Sequence, residues 1–138
     1  MAICSFCKII KGELPSTKIY ENKFVYVFAP LKETVIGKGH MIITTKKHYK
    51  DLYDIQKKDL AELFKAAQWI GKKIKEYLSY DGLNILHASG KSGQQSVLHF
   101  HIHLIPRSKI DGLDTWPKTA YQENNYNNNY KEIISVLS

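Results

Sequence analysis

Leu98-His99-Phe100-His101-Ile102-His103-Leu104-Ile105 is the stretch on which the fold of this chain turns. Along a strand, side chains alternate between the two faces. Leu98, Phe100, Ile102 and Leu104 therefore make an apolar row suited to a core, and His99, His101 and His103 make the opposite row. Neighbours in each row stand about 7 Å apart along the strand. Three of the six histidines thus share one face, and buried imidazoles each need partners. Imidazole titrates near neutral pH, its neutral ring is a competent nucleophile toward phosphorus, and a second ring can stabilise charge on phosphate oxygens. His-x-His on a strand is also a metal-ligand spacing, so the pattern alone leaves catalysis and metal binding both open.

Working outward, Ser96 to Pro106 reads as the strand that carries these histidines, and Gln95-Ser96 leads into it. Ser89-Gly90-Lys91-Ser92-Gly93 is a flexible loop whose backbone amides and hydroxyls can hold a phosphate. Leu83 to Ala88 reads as another strand, with no role for His87 beyond packing or exposure. Upstream, Leu60, Leu63, Phe64, Ala67, Ile70, Ile74, Tyr77 and Leu78 recur at helical spacing. They predict one amphipathic helix of about 25 residues, near 54–78. Asp54 is its expected N-cap, Asp81-Gly82 its stop, and Leu63, Phe64, Ala67 and Ile70 its packing face, on a sheet or across a two-fold axis. Trp69 reads as core or interface.

Lys18 to Phe28 predicts two short strands turning at Glu21-Asn22-Lys23, with Phe24, Tyr26 and Phe28 as core or as one wall of a purine pocket. Met41 to Thr45 predicts a third strand, and Ile9-Ile10 a helical turn ended by Gly12. The sum is an α+β domain with a five-stranded, mostly antiparallel sheet that opens as a meander. The domain is taken as 1–117, closed by Trp116-Pro117. Residues 118–138 form a tail with an Asn-rich loop (Asn124 to Asn129) and a short helix from Lys131 to Leu137.

The 138 residues are 43% hydrophobic and 24% charged, as in an ordinary single domain. No apolar run approaches the ~20 residues of a membrane span, so no membrane association is expected. Met1-Ala2-Ile3-Cys4 lacks the pattern of a signal peptide, and a cytoplasmic protein is expected. The net charge of +7 comes from scattered lysines, with Arg107 the only arginine, so no nucleic-acid arm is read from it. Cys4 and Cys7 form a Cys-x-x-Cys pair that is open to two readings, small buried side chains or metal ligands.

The run from His99 to Ile105 resembles the His-φ-His-φ-His-φ-φ motif of the histidine-triad (HIT) family. Cys4 to Glu13 with Pro15-Ser16 resembles the opening of many bacterial members. Lys38-Gly39-His40 with Lys46-Lys47-His48 resembles the family's second block, and Gly82-Leu83-Asn84 and Gln95-Ser96-Val97 the approach to the triad. The likeness spans residues 4 to about 117. It implies a five-stranded antiparallel sheet with one long and one short helix, pairing as a homodimer. It also implies a purine nucleotide hydrolase or nucleotidyl transferase, cleaving at the α-phosphate through a nucleotidyl-histidine.

On that resemblance His101 is the nucleophile, His103 its partner on the phosphate and His40 a supporting histidine, with Gln95, Ser96 and Asn84 as substrate contacts. Some bacterial members hold a structural zinc, which here implies one Zn²⁺ on Cys4, Cys7, His48 and His99, a closed set with no open position. The chain departs from the family in carrying Ala88-Ser89-Gly90 where Asn-x-Gly is common, and Gln94 where Gly is common. A nucleotide-binding sensor or interaction module with little turnover is the alternative, and a triad that itself holds metal is the third reading.

Overall fold

The computed structural model describes residues 4–116 and 121–138. Residues 1–3, Pro117 and the domain boundary expected at 117/118 lie outside the described residues. Strands β1 (Lys18–Glu21), β2 (Val25–Phe28), β3 (Met41–Thr45), β4 (Gly82–Leu86) and β5 (His101–Arg107) form one antiparallel sheet in the order β1-β2-β3-β5-β4. The first three are the expected meander. Its first turn is closed by the Asn22 side-chain oxygen, which accepts the N–H groups of Phe24 and Val25 at 2.8 and 2.9 Å. Strand β5 then returns between β3 and β4, so the histidine strand lies inside the sheet.

Each face of the sheet has its own core, and the strand residues divide between them with period two. Val25, Val27, Met41, Ile43, Phe100, Ile102 and Leu104 pack under helix α2 (Lys57–Leu78), against Leu63, Ala66, Ala67 and Ile70. Tyr26, Phe28 and Ile42 face the other way and meet Phe6 of helix α1 (Ser5–Ile10). All four residues of β2 are therefore buried. No helix among the described residues is long and apolar enough to cross a membrane.

The structure corrects several boundaries. Helix α2 begins at Lys57 and not near Asp54. Asp54 is held in a preceding turn, its N–H on the Asp51 carbonyl and its carboxylate on the Lys50 N–H. The buried stripe of α2 excludes Phe64, which is 45% exposed, and Trp69 lies half-exposed against Tyr20. Phe24 precedes β2 and packs with the α2 core, apart from Tyr26 and Phe28.

Strand β5 starts at His101 because β3 runs out one residue past its Thr44–His101 pair. Phe100 instead gives its N–H to the Tyr49 carbonyl and its carbonyl to the Thr44 hydroxyl. Strand β4 ends at Leu86. The expected turn at Ile9-Ile10 is a six-residue helix capped by Cys4. The Asn-rich run is a loop only at Asn124 and Asn125. Helix α3 (Tyr126–Leu137) takes in the rest, with the Glu123 carboxylate on the Asn125 N–H and the Asn129 amide, and Tyr126 against Tyr130 one turn on.

Leu63 is fully buried under the sheet while Phe64 is half in solvent. Leu63→Ala is expected to cost about 3 kcal/mol in urea denaturation, and Phe64→Ala less than about 1 kcal/mol. Equal losses would mean that this face of α2 has been wrongly assigned.

Candidate active site and metal centre

The histidine row forms as the alternation demands, but its members meet different surroundings. His99 is fully buried, His101 nearly so and His103 half-buried. The rings of His101 and His103 lean to within 5.1 Å of each other, and Phe6 of α1 packs edge-on at 5.0 Å from His101. Phe6 also meets the ring of His99 at 5.9 Å. Helix α1 thus walls one side of the row.

The neighbours of each ring assign its protons. His101 Nδ1 lies 2.7 Å from the carbonyl oxygen of His99. A carbonyl only accepts, so Nδ1 carries the hydrogen and Nε2 keeps its lone pair. His40, buried at the foot of β3, accepts the Ile36 N–H on Nδ1 at 3.1 Å. Its hydrogen is then on Nε2, which donates to His103 Nδ1 at 2.8 Å. That leaves His103 with its hydrogen on Nε2, as a donor. The row thus presents a lone pair on one ring and an N–H on the next.

Burial holds these rings neutral. His101 and His40 lie below the ordinary imidazole value, burial being the main cause in both. His103 is pushed down to about 4, by burial first and then by its neighbours His101 and His40.

The third ring, His99, turns toward a different group. Its Nε2 donates to the Thr45 carbonyl at 2.7 Å, which leaves Nδ1 as a free ligand atom. That Nδ1 lies 3.3 Å from Cys4 Sγ, 3.5 Å from Cys7 Sγ and 3.1 Å from His48 Nδ1, and Cys7 Sγ lies 3.4 Å from His48 Nδ1. All four ligand atoms fall within 4.8 Å of one another. A tetrahedral zinc with two sulfur and two nitrogen ligands has edges of roughly 3.3–3.8 Å. Four of the six separations, at 3.1–3.5 Å, lie close to such edges, and Cys4, Cys7, His48 and His99 form a possible metal site of the right donor type. Burial, then the hydrogen bond to Cys4, pushes the Cys7 thiol up to about 11. A bound cation would reverse that and hold the thiolate.

Of the expected substrate contacts, Ser96 is exposed on the approach to the row. The Gln95 amide is committed to the loop. Its oxygen accepts the Gly90 N–H at 2.9 Å, and its nitrogen donates to the carbonyls of Lys50 (2.6 Å) and Val97 (3.1 Å). Gly93 is required there, since a Cβ would stand 2.7 Å from the Ser89 carbonyl. Asn84 pairs with Ile105, and its oxygen is taken by Arg107 and Thr115, so it braces the end of β5 beyond His103. His87, left without a role in the sequence, bonds the His101 carbonyl and Ser89. The only hint of this was its i,i+2 spacing to Ser89.

A model of the HIT domain matches residues 11–110. The chain belongs to the HIT family. The adenosine 5'-monophosphoramidase of Saccharomyces cerevisiae is 36% identical over 138 residues, covering 99% of this chain and 84% of that protein. A HIT family member from Bacillus subtilis has the same fold, with a TM-score of 0.78, 34% identity and coverage of 98% and 97%. A zinc-bound histidine triad protein from Mycobacterium smegmatis superposes at a TM-score of 0.75, with 32% identity over 81% of this chain and 80% of that one. The HIT assignment expected from the triad, and its five-stranded sheet, are thereby established. The long α2 and the short α1 are the pair the resemblance implies, and α3 is the tail helix, which starts earlier than expected, at Tyr126.

The shifted rings predict a pH effect with a definite sign. Unfolded histidine titrates near 6.5. Between that value and about 4, the unfolded chain binds protons that folded His103 refuses. Stability is therefore complete above about pH 6.5 and is lost as pH falls through this window. The urea midpoint should drop from pH 7 to pH 5, and drop less in His103→Asn. A midpoint that does not change between those pH values contradicts the assignment.

Proposed function

We propose that the chain is a nucleotide hydrolase that cleaves purine nucleotides at the α-phosphate by way of a nucleotidyl group carried on His101. The observation that carries this reading is the hydrogen bond from His101 Nδ1 to the His99 carbonyl, which leaves Nε2 as the one free nucleophilic atom on that ring. The kinship with the yeast adenosine 5'-monophosphoramidase supports a nucleotide with an N-linked leaving group among the substrates.

In this reading Nε2 attacks the α-phosphorus as the bond to the leaving group breaks in line; the electron pair goes to the leaving group, which takes up a proton from solvent. His103 Nε2–H, the Ser96 hydroxyl and backbone amides of the strand approach meet the charge on the phosphate oxygens. His40 holds the His103 tautomer that makes this donation possible. Water then attacks phosphorus, the P–Nε2 bond breaks with its electron pair returning to Nε2, the proton of the attacking water is released to solvent, and the nucleoside monophosphate leaves. Gln95 serves by shaping the loop that presents Ser96, and Asn84 by bracing Arg107.

His101→Ala should lose about 10⁴-fold or more of turnover on adenosine 5'-phosphoramidate while still binding the nucleotide. His103→Ala should lose less, about 10²–10³-fold. Because attack needs a neutral ring and burial lowers His101, the acid limb of wild-type turnover should lie below about pH 6.5. A nucleotide sensor without useful turnover would bind in both proteins and turn over in neither. A His101→Ala enzyme with wild-type turnover would reject the mechanism.

We further propose that Cys4, Cys7, His48 and His99 hold one structural zinc per chain. A closed set of four protein ligands ties α1 to the end of β3 and the start of the triad, and supplies folding free energy without entering the reaction. The two cysteines are free thiols, which suits the cytoplasm. Pairing of two copies is supported by edge strand β4, where Leu83 and Ile85 are each 41% exposed. Native mass spectrometry of gently purified protein should show two chains with two zinc ions. A metal-free single chain would contradict both proposals.

A further inference from the structure

His87 stands one residue beyond β4, where the sheet stops. The last β4–β5 pair is Leu86 with His103, so the register would set His87 against Ile102 and then residue 88 against His101. In a continuing antiparallel ladder the His101 carbonyl would take a main-chain N–H from that residue. The chain instead turns off into the loop that begins at Ser89. The His87 imidazole takes the missing position, its Nδ1 at 2.8 Å from the His101 carbonyl oxygen, with its ring laid over Phe100 at 4.6 Å.

The directions of the bonds around this ring are determined. The carbonyl accepts, so Nδ1 carries the hydrogen and, in the neutral ring, Nε2 accepts. It does so from the Ser89 hydroxyl at 2.6 Å, and that oxygen in turn accepts the Leu52 N–H at 3.0 Å. A one-way series of donors thus runs from the peptide of Leu52, through the first residue of the loop, to the peptide of His101. At the other end of the same loop, the Gln95 amide is tied to the Lys50 carbonyl. The loop is pinned at both ends to residues 50–52, and one of those pins also grips the peptide that carries the attacking ring.

We propose that His87 is a positioning residue, which holds the main chain of His101 so that Nε2 lies in line with the scissile bond and couples that alignment to the loop leading to Ser96. The inference rests on the reading of His101 as nucleophile. It assigns His87 a share in the attack step and none in nucleotide binding, since a displaced nucleophile slows in-line attack without removing a binding contact.

Steady-state kinetics on adenosine 5'-phosphoramidate, with melting temperatures recorded in parallel, test it. His87→Ala should lower kcat about tenfold or more, with KM within about twofold of wild type. His87→Asn keeps an N–H at the same bond position as Nδ1 and should recover most of the lost kcat. Ser89→Ala, which frees Nε2 of His87, should lose less than His87→Ala. Wild-type kcat in His87→Ala overturns the inference. So does a loss that appears in KM alone, or one that follows melting temperature and is not recovered by His87→Asn. His101→Ala is measured alongside. If it keeps wild-type turnover, the nucleophile reading itself fails; if it is inactive while His87→Ala is unimpaired, only the role of His87 fails.

Discussion

Strand β5 has to serve a core on one face and hold a row of histidines on the other, and the two-residue period of a strand allows it to do so. Phe100, Ile102 and Leu104 are fully or almost fully buried under α2, so the strand cannot slip by one residue without placing three imidazoles in the apolar core. That constraint places His99, His101 and His103 on the face covered by α1. Pairing with β3 on one side and β4 on the other removes the remaining freedom of the backbone. The site inherits its rigidity from the core on the reverse of the same strand.

On this frame, the chemistry is set by which partners are able only to accept and which only to donate. Two carbonyls, of His99 and Thr45, and one main-chain N–H, of Ile36, are enough to assign the hydrogens on His101, His99, His40 and His103. As a result, three histidines of one row present three different groups. His99 turns a bare nitrogen toward two cysteines and His48, His101 keeps a bare nitrogen for the site, and His103 keeps a hydrogen. Burial supports all three by disfavouring the charged rings.

Much of this was legible in the sequence, because the strongest signals are periodic. The alternation of 100–104, the stripe Leu63, Ala67 and Ile70 and the run Met41 to Thr45 each report a buried face directly, whereas Leu98 ahead of β5 and Phe64, Tyr77 and Leu78 of α2 belong to the same patterns and are exposed. Less legible was anything decided by main-chain partners far along the chain. The start of β5 depends on the carbonyl of Tyr49, and the start of α2 on a turn that occupies Asp54. Gln95 carries the side chain expected of a substrate contact, yet its amide is used within the loop. The part His87 plays beside His101 depends on where β4 stops, which no residue pattern announces. The metal set spans four places in the sequence, and only the resemblance of the chain to zinc-bearing relatives drew them together before the fold did.

The proposed mechanism turns on one chemical point, that the His101 ring, locked at Nδ1, reacts at Nε2. Mixing the enzyme with adenosine 5'-phosphoramidate, quenching within the first turnover in alkaline denaturant, and locating the nucleotidyl group by peptide mass spectrometry and ³¹P NMR tests it directly. The account predicts a nucleotidyl group on Nε2 of His101. A nucleotidyl group on Nδ1, or on any other residue, would contradict it.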